Sequence, residues 1–122
     1  MEIPFNKPYL PPGSERYLIN SYRSFSHSGN NYWNSQCIEY LKDKFNFNEV
    51  FLVPSCTAAL EMGLFLSGIQ PGDEVILPSY TFSSTATAIL ITGAKPIFCE
   101  VESKTMNIDV NHIRNLISDK TK

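Results

Sequence analysis

The chain has two parts that differ in how apolar and polar residues follow one another. Residues 1–48 are polar and rich in aromatic residues, Asn and Ser, whereas residues 49–122 alternate short apolar runs with turn signals. Short apolar strands that are separated by helices of about 10–15 residues favour crossover units and a parallel sheet. We therefore predict an α/β fold, with a helical or irregular segment over 1–48 and the start of an α/β domain over 49–122.

Two helices are predicted in the first part. Ser14 is expected to cap a helix that runs through Tyr22, with Glu15 in its first turn. A second helix is predicted over 34–45, where the apolar residues fall on one helical face. The residues between the two helices, 24–31, have the composition of a loop.

The second part is predicted to hold three strands and three helices. The strands are expected over 49–53, 74–77 and 95–101, and the helices over 56–67, over 82–92 and after a cap at Asn107 or Asp109. A parallel sheet needs cover on both faces, and so few elements make a poor core. The chain also ends just past a helix, where another strand is expected. We therefore expect this chain to be part of a larger domain.

Composition and charge exclude several classes of function. Ten Lys and Arg residues stand against twelve Asp and Glu residues, which gives a net charge of -2 and argues against nucleic-acid binding. The apolar runs are too short to cross a membrane, and the first residues do not resemble a secretory signal, so we expect a cytoplasmic protein without membrane insertion. Three widely spaced cysteines and two distant histidines predict neither a disulfide framework nor a metal site.

A candidate anion site lies where the first predicted strand of the second part leads into a helix. The free N–H groups and the positive dipole end of a helix's first turn attract anions. Here Ser55 and Thr57 add hydroxyl groups, and the small side chains of Cys56 and Ala58 allow a phosphate to approach the backbone. An ordinary N-cap by Ser55 explains the same residues equally well, so both interpretations stay open.

A second candidate segment, 78–85, also follows a strand and opens a helix. Ligands of parallel sheets bind outside the carboxyl ends of the strands, so Phe82 is expected to place its ring beside an anion held near Thr57. A flat aromatic ring next to a phosphate site suits a planar phosphorylated cofactor. The alternative is that Phe82 packs in the core, as most phenylalanines do.

Six segments in register resemble one protein family. They are SCTAAL (55–60), PGDEVI (71–76), PSYTFSST (78–85), GAKPIF (93–98), TMNID (105–109) and ISDKTK (117–122), and IPFNKP (3–8) fits as well. In this order they resemble the DegT/DnrJ/StrS family of sugar aminotransferases, which use pyridoxal phosphate on the aspartate-aminotransferase fold, fold type I. Within the family the likeness is greatest to the dTDP-4-amino-4,6-dideoxygalactose transaminases of enterobacterial common antigen synthesis.

The resemblance implies roles for particular residues. Residues matching Cys56, Thr57 and Ala58 hold the cofactor phosphate in the family, and the aromatic residue matching Phe82 stacks on the pyridine ring. Cys56 departs from the commoner glycine, so the turn must accept a Cβ atom. The loop at 28–29, Ser28 and Gly29, resembles a stretch that approaches the sugar substrate or the partner subunit.

The resemblance also implies a reaction. Family members of this kind are homodimers that transfer an amino group, here expected from glutamate, to a nucleotide-linked 4-keto-6-deoxyhexose. The family's lysine and aspartate that bind the cofactor lie beyond the point matching Lys122, so this chain holds no catalytic residue and is expected to be inactive alone. The alternatives are a 3-keto-sugar transaminase, a sugar dehydratase of the same family, or a non-catalytic assembly domain.

Overall fold

The computed structural model describes residues 3–122 in five helices and two strands; Met1 and Glu2, at the start of the predicted 1–48 segment, lie outside the described residues. The elements are α1 (Ser14–Arg23), α2 (Tyr32–Phe45), α3 (Cys56–Leu66), β1 (Glu74–Pro78), α4 (Ser83–Leu90), β2 (Lys95–Cys99) and α5 (Val110–Leu116). They form two compact units, the first ending at Leu52 and the second beginning at Val53. The domain division predicted at residues 48 and 49 stays a prediction.

The first unit contains both predicted helices, but one of them begins differently from the prediction. Ser14 is the first helical residue of α1 and not its cap, so that prediction is wrong; the N-cap is Gly13, whose φ of 83° suits a residue without a Cβ atom. Helix α2 begins two residues earlier than predicted because Asn31 caps it. The Asn31 side chain accepts a hydrogen bond from the N–H of Asn34 at 3.1 Å.

The prediction of a strand over 49–53 is wrong. These residues form no strand in the described part of the chain, and the side chains of Phe51 and Leu52 are exposed. A strand exists only where a neighbouring strand accepts and donates its backbone hydrogen bonds, and an apolar run does not show whether such a neighbour is present.

The sheet of the second unit is parallel, as predicted, but smaller. Strands β1 and β2 pair with Glu74 opposite Lys95, in a ladder that ends at Pro78 and Cys99. On the other side of β1, Glu74 donates its N–H to the Lys120 carbonyl at 2.8 Å, and its carbonyl accepts the N–H of Lys122 at 3.0 Å. A parallel bridge with Thr121 results, so β1 has neighbours on both sides at its first residue.

The core of the second unit lies where α3 and α4 cover β1. Leu77, Ile89 and Ala94 are almost completely buried there, and the partly buried Leu64 and Val75 pack against them. Burying a side chain such as Leu77 contributes about 1.5–3 kcal/mol. Helix α3 ends before Gly68 (φ 70°), the left-handed cap that the sequence predicts.

The connection from β2 to α5 is held by backbone and side-chain hydrogen bonds. Of the two predicted caps, Asp109 is the one used, since its Oδ1 accepts the N–H of Asn111 at 2.8 Å. The N–H of Asp109 donates to the Glu100 carbonyl at 2.9 Å, and the buried Cys99 thiol lies 3.5 Å from the Asp109 carbonyl oxygen. The strand predicted over 95–101 is shorter than expected and ends at Cys99, since the residues after it belong to this connection.

Candidate functional site

The first turn of α3 forms a capped helix end with two free donors. Ser55 is extended (φ -159°, ψ 160°), and its hydroxyl oxygen accepts the N–H of Ala58 at 3.1 Å. Within residues 3–122 the N–H groups of Cys56 and Thr57 have no protein acceptor. The two interpretations of this segment are thus compatible, because the Ser55 cap satisfies one N–H and leaves two for an anion.

The three residues predicted to hold a phosphate here do not offer the same groups. Cys56 and Thr57 offer backbone N–H groups, and Thr57 adds a hydroxyl. The N–H of Ala58 is already bonded to Ser55, so Ala58 contributes a small side chain. The first turn of α3 contains no acidic residue that would repel an anion. Their assignment to a phosphate stays a prediction.

The ring of Phe82 is presented to solvent at the start of α4. Phe82 is the N-cap residue, with extended φ and ψ of -67° and 143°, and it lies just before the helix that was predicted to begin with it. Its side chain is 76% exposed. The alternative that Phe82 packs in the core of this unit therefore does not hold.

The α3 turn and Phe82 lie at the same end of the second unit. Leu60, one turn into α3, lines a cavity of about 160 Å³ together with Thr85 in the first turn of α4 and with β1 from Val75 to Pro78. Residues 67–73 lead from the end of α3 directly into the first residue of β1, so α3 runs back along the strand and its first turn lies towards the carboxyl end, where the chain continues to Phe82. This is the edge of a parallel sheet at which ligands bind.

Two hydrogen bonds hold the segment between β1 and α4. Ser79 donates its N–H to the Cys99 carbonyl at 2.7 Å, and the hydroxyl oxygens of Thr81 and Thr85 are 2.9 Å apart. Tyr80, Thr81 and Phe82 line an open cavity of about 330 Å³. The sequence pattern did not single out Tyr80, although a second aromatic residue two positions before Phe82 was a usable signal.

Ser28 and Gly29 belong to the first unit, and their predicted contact with substrate or partner stays a prediction. The Ser28 carbonyl accepts a hydrogen bond from the Asn31 side chain at 2.8 Å, which fixes this loop to the start of α2. The same unit has a larger aromatic cavity, about 700 Å³, lined in part by Tyr17, Trp33 and Tyr40.

Among residues 3–122, no three His, Cys, Asp or Glu side chains are grouped so that they could ligate a metal ion. None of the described helices combines the length and the apolar composition needed to span a bilayer.

Comparison with solved structures defines the class of fold. The described residues superpose on the putative sugar aminotransferase Spr1654 from Streptococcus pneumoniae with a TM-score of 0.90 and 26% identity, covering 100% of this chain and 31% of that one. That structure was determined in forms named for pyridoxal and pyridoxamine phosphate. The fold is therefore that of the solved sugar aminotransferases, and the predicted α/β fold, the N-terminal part of fold type I, is confirmed.

The family follows from the sequence. Residues 29–122 match the model of the DegT/DnrJ/EryC1/StrS aminotransferase family, and the chain belongs to this family. It is 49% identical over 70 residues to the spore coat polysaccharide biosynthesis protein SpsC of Bacillus subtilis, covering 57% of this chain and 18% of that protein. It is 31% identical over 124 residues to the GDP-perosamine synthase of Vibrio cholerae, covering 98% and 33%. The chain thus spans a third or less of the length of these relatives.

Proposed function

We propose that this chain forms part of a pyridoxal-phosphate-dependent transaminase that acts on a nucleotide-linked keto sugar. The observation that supports this most is the placement of two free backbone N–H groups, at Cys56 and Thr57, at the same end of the sheet as the exposed ring of Phe82. A phosphate group and a flat ring on one molecule match this pair of features. Membership of an aminotransferase family agrees with it.

Each of these residues has a distinct part in the proposal. The Cys56 and Thr57 N–H groups and the Thr57 hydroxyl bind the phosphate, Ala58 leaves room for it, and Phe82 packs against one face of the pyridine ring. The cofactor, when bound, carries the amino group from donor to keto sugar. The residues of this chain fix where the cofactor lies and exclude water from one face of its ring.

The finer substrate assignment is a dTDP-linked 4-keto-6-deoxyhexose with glutamate as amino donor, in the synthesis of a cell-surface polysaccharide by a cytoplasmic enzyme. The six matched segments support the dTDP-linked sugar, and relatives named as a GDP-perosamine synthase and a spore coat polysaccharide biosynthesis protein support a nucleotide-linked sugar and a cell-surface polysaccharide. The lysine that binds the cofactor in the family is not among the residues placed at the site. We therefore propose that the 122-residue chain alone does not catalyse the transamination.

A homodimer is part of the same proposal. In the described part of the first unit no residue is buried, and its aromatic side chains are largely exposed. Examples are Phe5, Tyr22 and Phe25, which are 105%, 77% and 90% exposed. Aromatic residues are enriched at subunit interfaces, so a second copy is the proposed cover for this surface. Sedimentation of the intact protein as a monomer at micromolar concentration would count against the dimer.

Titration with pyridoxal phosphate tests the function. The intact protein should bind the cofactor, with a change in its absorption spectrum, and Phe82→Ala should weaken binding by about 1–3 kcal/mol because a large apolar contact is lost. Phe98→Ala is the matched control, since Phe98 is also exposed but lies within β2, and it should bind as the wild type does. Absence of binding by the intact protein would favour the assembly-domain alternative.

Product analysis separates the remaining alternatives. With glutamate and a dTDP-linked 4-keto-6-deoxyhexose, the intact protein should form the 4-amino sugar and 2-oxoglutarate. A product that has lost a hydroxyl group and gained no nitrogen would identify a dehydratase. Amination of the 3-keto isomer of that substrate at carbon 3, with no turnover of the 4-keto sugar, would identify the 3-keto-sugar transaminase.

A further inference from the structure

The segment between β1 and α4 presents two aromatic rings, and the proposed cofactor site uses only one of them. Tyr80 is 67% exposed and Phe82 is 76% exposed. With Thr81 they line one cavity of about 330 Å³. Ligand sites are lined mainly by hydrophobic and aromatic side chains with a few polar groups among them, and these three residues have that composition.

The position of Tyr80 is fixed by the backbone on either side of it. Ser79, the preceding residue, donates to the Cys99 carbonyl at 2.7 Å, which joins the segment to the end of β2. Thr81, the following residue, shares a hydroxyl hydrogen bond with Thr85 at 2.9 Å, which joins it to the first turn of α4. Tyr80 therefore lies at the carboxyl edge of the sheet, between two anchored residues.

From this arrangement we infer that Tyr80 contacts the sugar substrate and helps to determine its specificity, while Phe82 contacts the cofactor; the inference rests on the proposed function. The amino group must be transferred between the cofactor and a second molecule, so the substrate has to lie next to the ring that Phe82 covers. Tyr80 shares the Phe82 cavity and has an apolar ring face with a hydroxyl at its tip. That combination suits a deoxyhexose, which presents C–H groups and hydroxyl groups together.

The absence of positive charge in residues 78–85 favours the sugar, and not the amino donor, as the ligand that Tyr80 contacts. Glutamate carries two carboxylates, which are bound best by arginine or lysine side chains. Residues 78–85 include neither. An uncharged ring and several hydroxyl groups therefore match a sugar better than a dicarboxylate.

Kinetics of the intact enzyme test this assignment. Tyr80→Ala should raise the KM for the keto-sugar nucleotide by about three- to tenfold, because an aromatic contact is lost. The KM for glutamate and the affinity for pyridoxal phosphate should stay within about twofold of the wild-type values. Tyr80→Phe, which keeps the ring, should show a smaller rise, and Leu66→Ala, an exposed apolar residue at the far end of α3, should show none.

Failure of the inference and failure of the proposed function give different results. If the protein binds pyridoxal phosphate and forms the amino sugar, but Tyr80→Ala leaves the sugar KM unchanged or raises the glutamate KM equally, the role of Tyr80 is overturned and the function stands. If Tyr80→Ala weakens cofactor binding as much as Phe82→Ala does, Tyr80 belongs to the cofactor site instead. If the intact protein binds no pyridoxal phosphate, both proposals are overturned.

Discussion

The backbone N–H of Glu100 donates a hydrogen bond to Nδ1 of His112, with the two nitrogen atoms 2.9 Å apart. This bond joins the residue after β2 to the middle of α5. It requires that Nδ1 carry no proton, which places the single proton of the neutral imidazole on Nε2. His112 is therefore a structural acceptor at the carboxyl edge of the sheet.

Replacing His112 should loosen the end of β2. We expect His112→Ala to cost about 1 kcal/mol of folding stability, because the Glu100 N–H loses its partner, and to speed amide exchange at Glu100. His112→Asn is the matched control, since its side-chain oxygen can accept in place of Nδ1. NMR exchange measurements should therefore show fast exchange of the Glu100 amide in His112→Ala and protection close to that of the wild type in His112→Asn. Equal protection of that amide in wild type and His112→Ala would disprove the role.

Glu74 should make stability depend on pH. Its pKa lies below the ordinary value of 4.5, mainly because the Ser118 hydroxyl donates to its carboxylate at 2.7 Å; partial burial opposes this shift, and the charge of Lys95 at 3.6 Å adds to it. A lowered pKa means that the folded state favours the ionised carboxylate. The resulting stability is fully present above the unfolded-state pKa and is lost as pH falls through the folded-state pKa.

Denaturation from pH 7 to pH 3 measures this effect. Glu74→Gln should be less stable than the wild type near neutral pH, and the difference should shrink at pH values below 4.5. Glu39→Gln, which changes an exposed glutamate of α2, is the control and should follow the wild-type curve. A Glu74→Gln deficit that stays constant over the whole range would show that the carboxylate's ionisation is not responsible.

Replacing three glycines with alanine should separate the effect of steric space from the effect of backbone conformation on folding stability. At Gly93 (φ 79°) an added Cβ atom would lie 2.8 Å from Pro71 Cγ, so Gly93→Ala should combine a steric clash with left-handed strain. Gly68 has φ 70° with open space around it, so Gly68→Ala should cost only the strain, about 1–2 kcal/mol. Gly63 lies inside α3 with open space, and Gly63→Ala should stabilise the protein by about 0.5–1 kcal/mol.

Thermal unfolding of these three variants tests the expected order of their stabilities. Gly93→Ala should lower the Tm most, Gly68→Ala less, and Gly63→Ala should raise it. If Gly93→Ala and Gly68→Ala lower the Tm equally, contact with Pro71 contributes nothing.

The three cysteines should differ in their reactivity towards iodoacetamide. Cys37 and Cys56 are exposed and Cys99 is buried. Burial raises the pKa of the Cys99 thiol, and the negative charge of Asp109 adds to this effect, so Cys99 should react last. Pyridoxal phosphate should protect Cys56, which lies in the proposed phosphate site, and should not protect Cys37. Mass spectrometry of the alkylated peptides would reveal this, and unchanged labelling of Cys56 would remove that residue from the site.

The sequence predicted the two paired strands of the second unit correctly because the signals for these strands are local. The segments predicted over 74–77 and 95–101 are bounded by turns and separated by a helix, and they contain the strands β1 and β2, which pair in parallel over Glu74–Pro78 and Lys95–Cys99. The segment 49–53 has an equally apolar pattern but forms no strand, since pairing depends on a partner that periodicity does not reveal. Ser14 fits the preferred composition of a cap, yet Gly13 takes that position because its backbone adopts a positive φ.

At the candidate site, the sequence identified residue types but not which of their groups are free. It selected Cys56, Thr57 and Ala58 together, and only the structure shows that Ser55 already occupies the Ala58 N–H. It left open whether Phe82 is buried, which depends on how α4 packs on β1. Tyr80 shares the Phe82 cavity because of the path of the chain between β1 and α4, and that path cannot be read from spacing.

The double pairing of β1 has a consequence for the order in which the sheet assembles. Glu74 pairs with Lys95 across a short crossover through α4, whereas its other neighbour, Thr121, follows only after β2 and α5. Closing the longer loop costs more chain entropy and brings together residues further apart in sequence, which slows pairing. We therefore expect β1 and β2 to form a nucleus onto which the Thr121 segment adds later. In pulse-labelled refolding, the Leu77 amide should gain protection before the Lys122 amide.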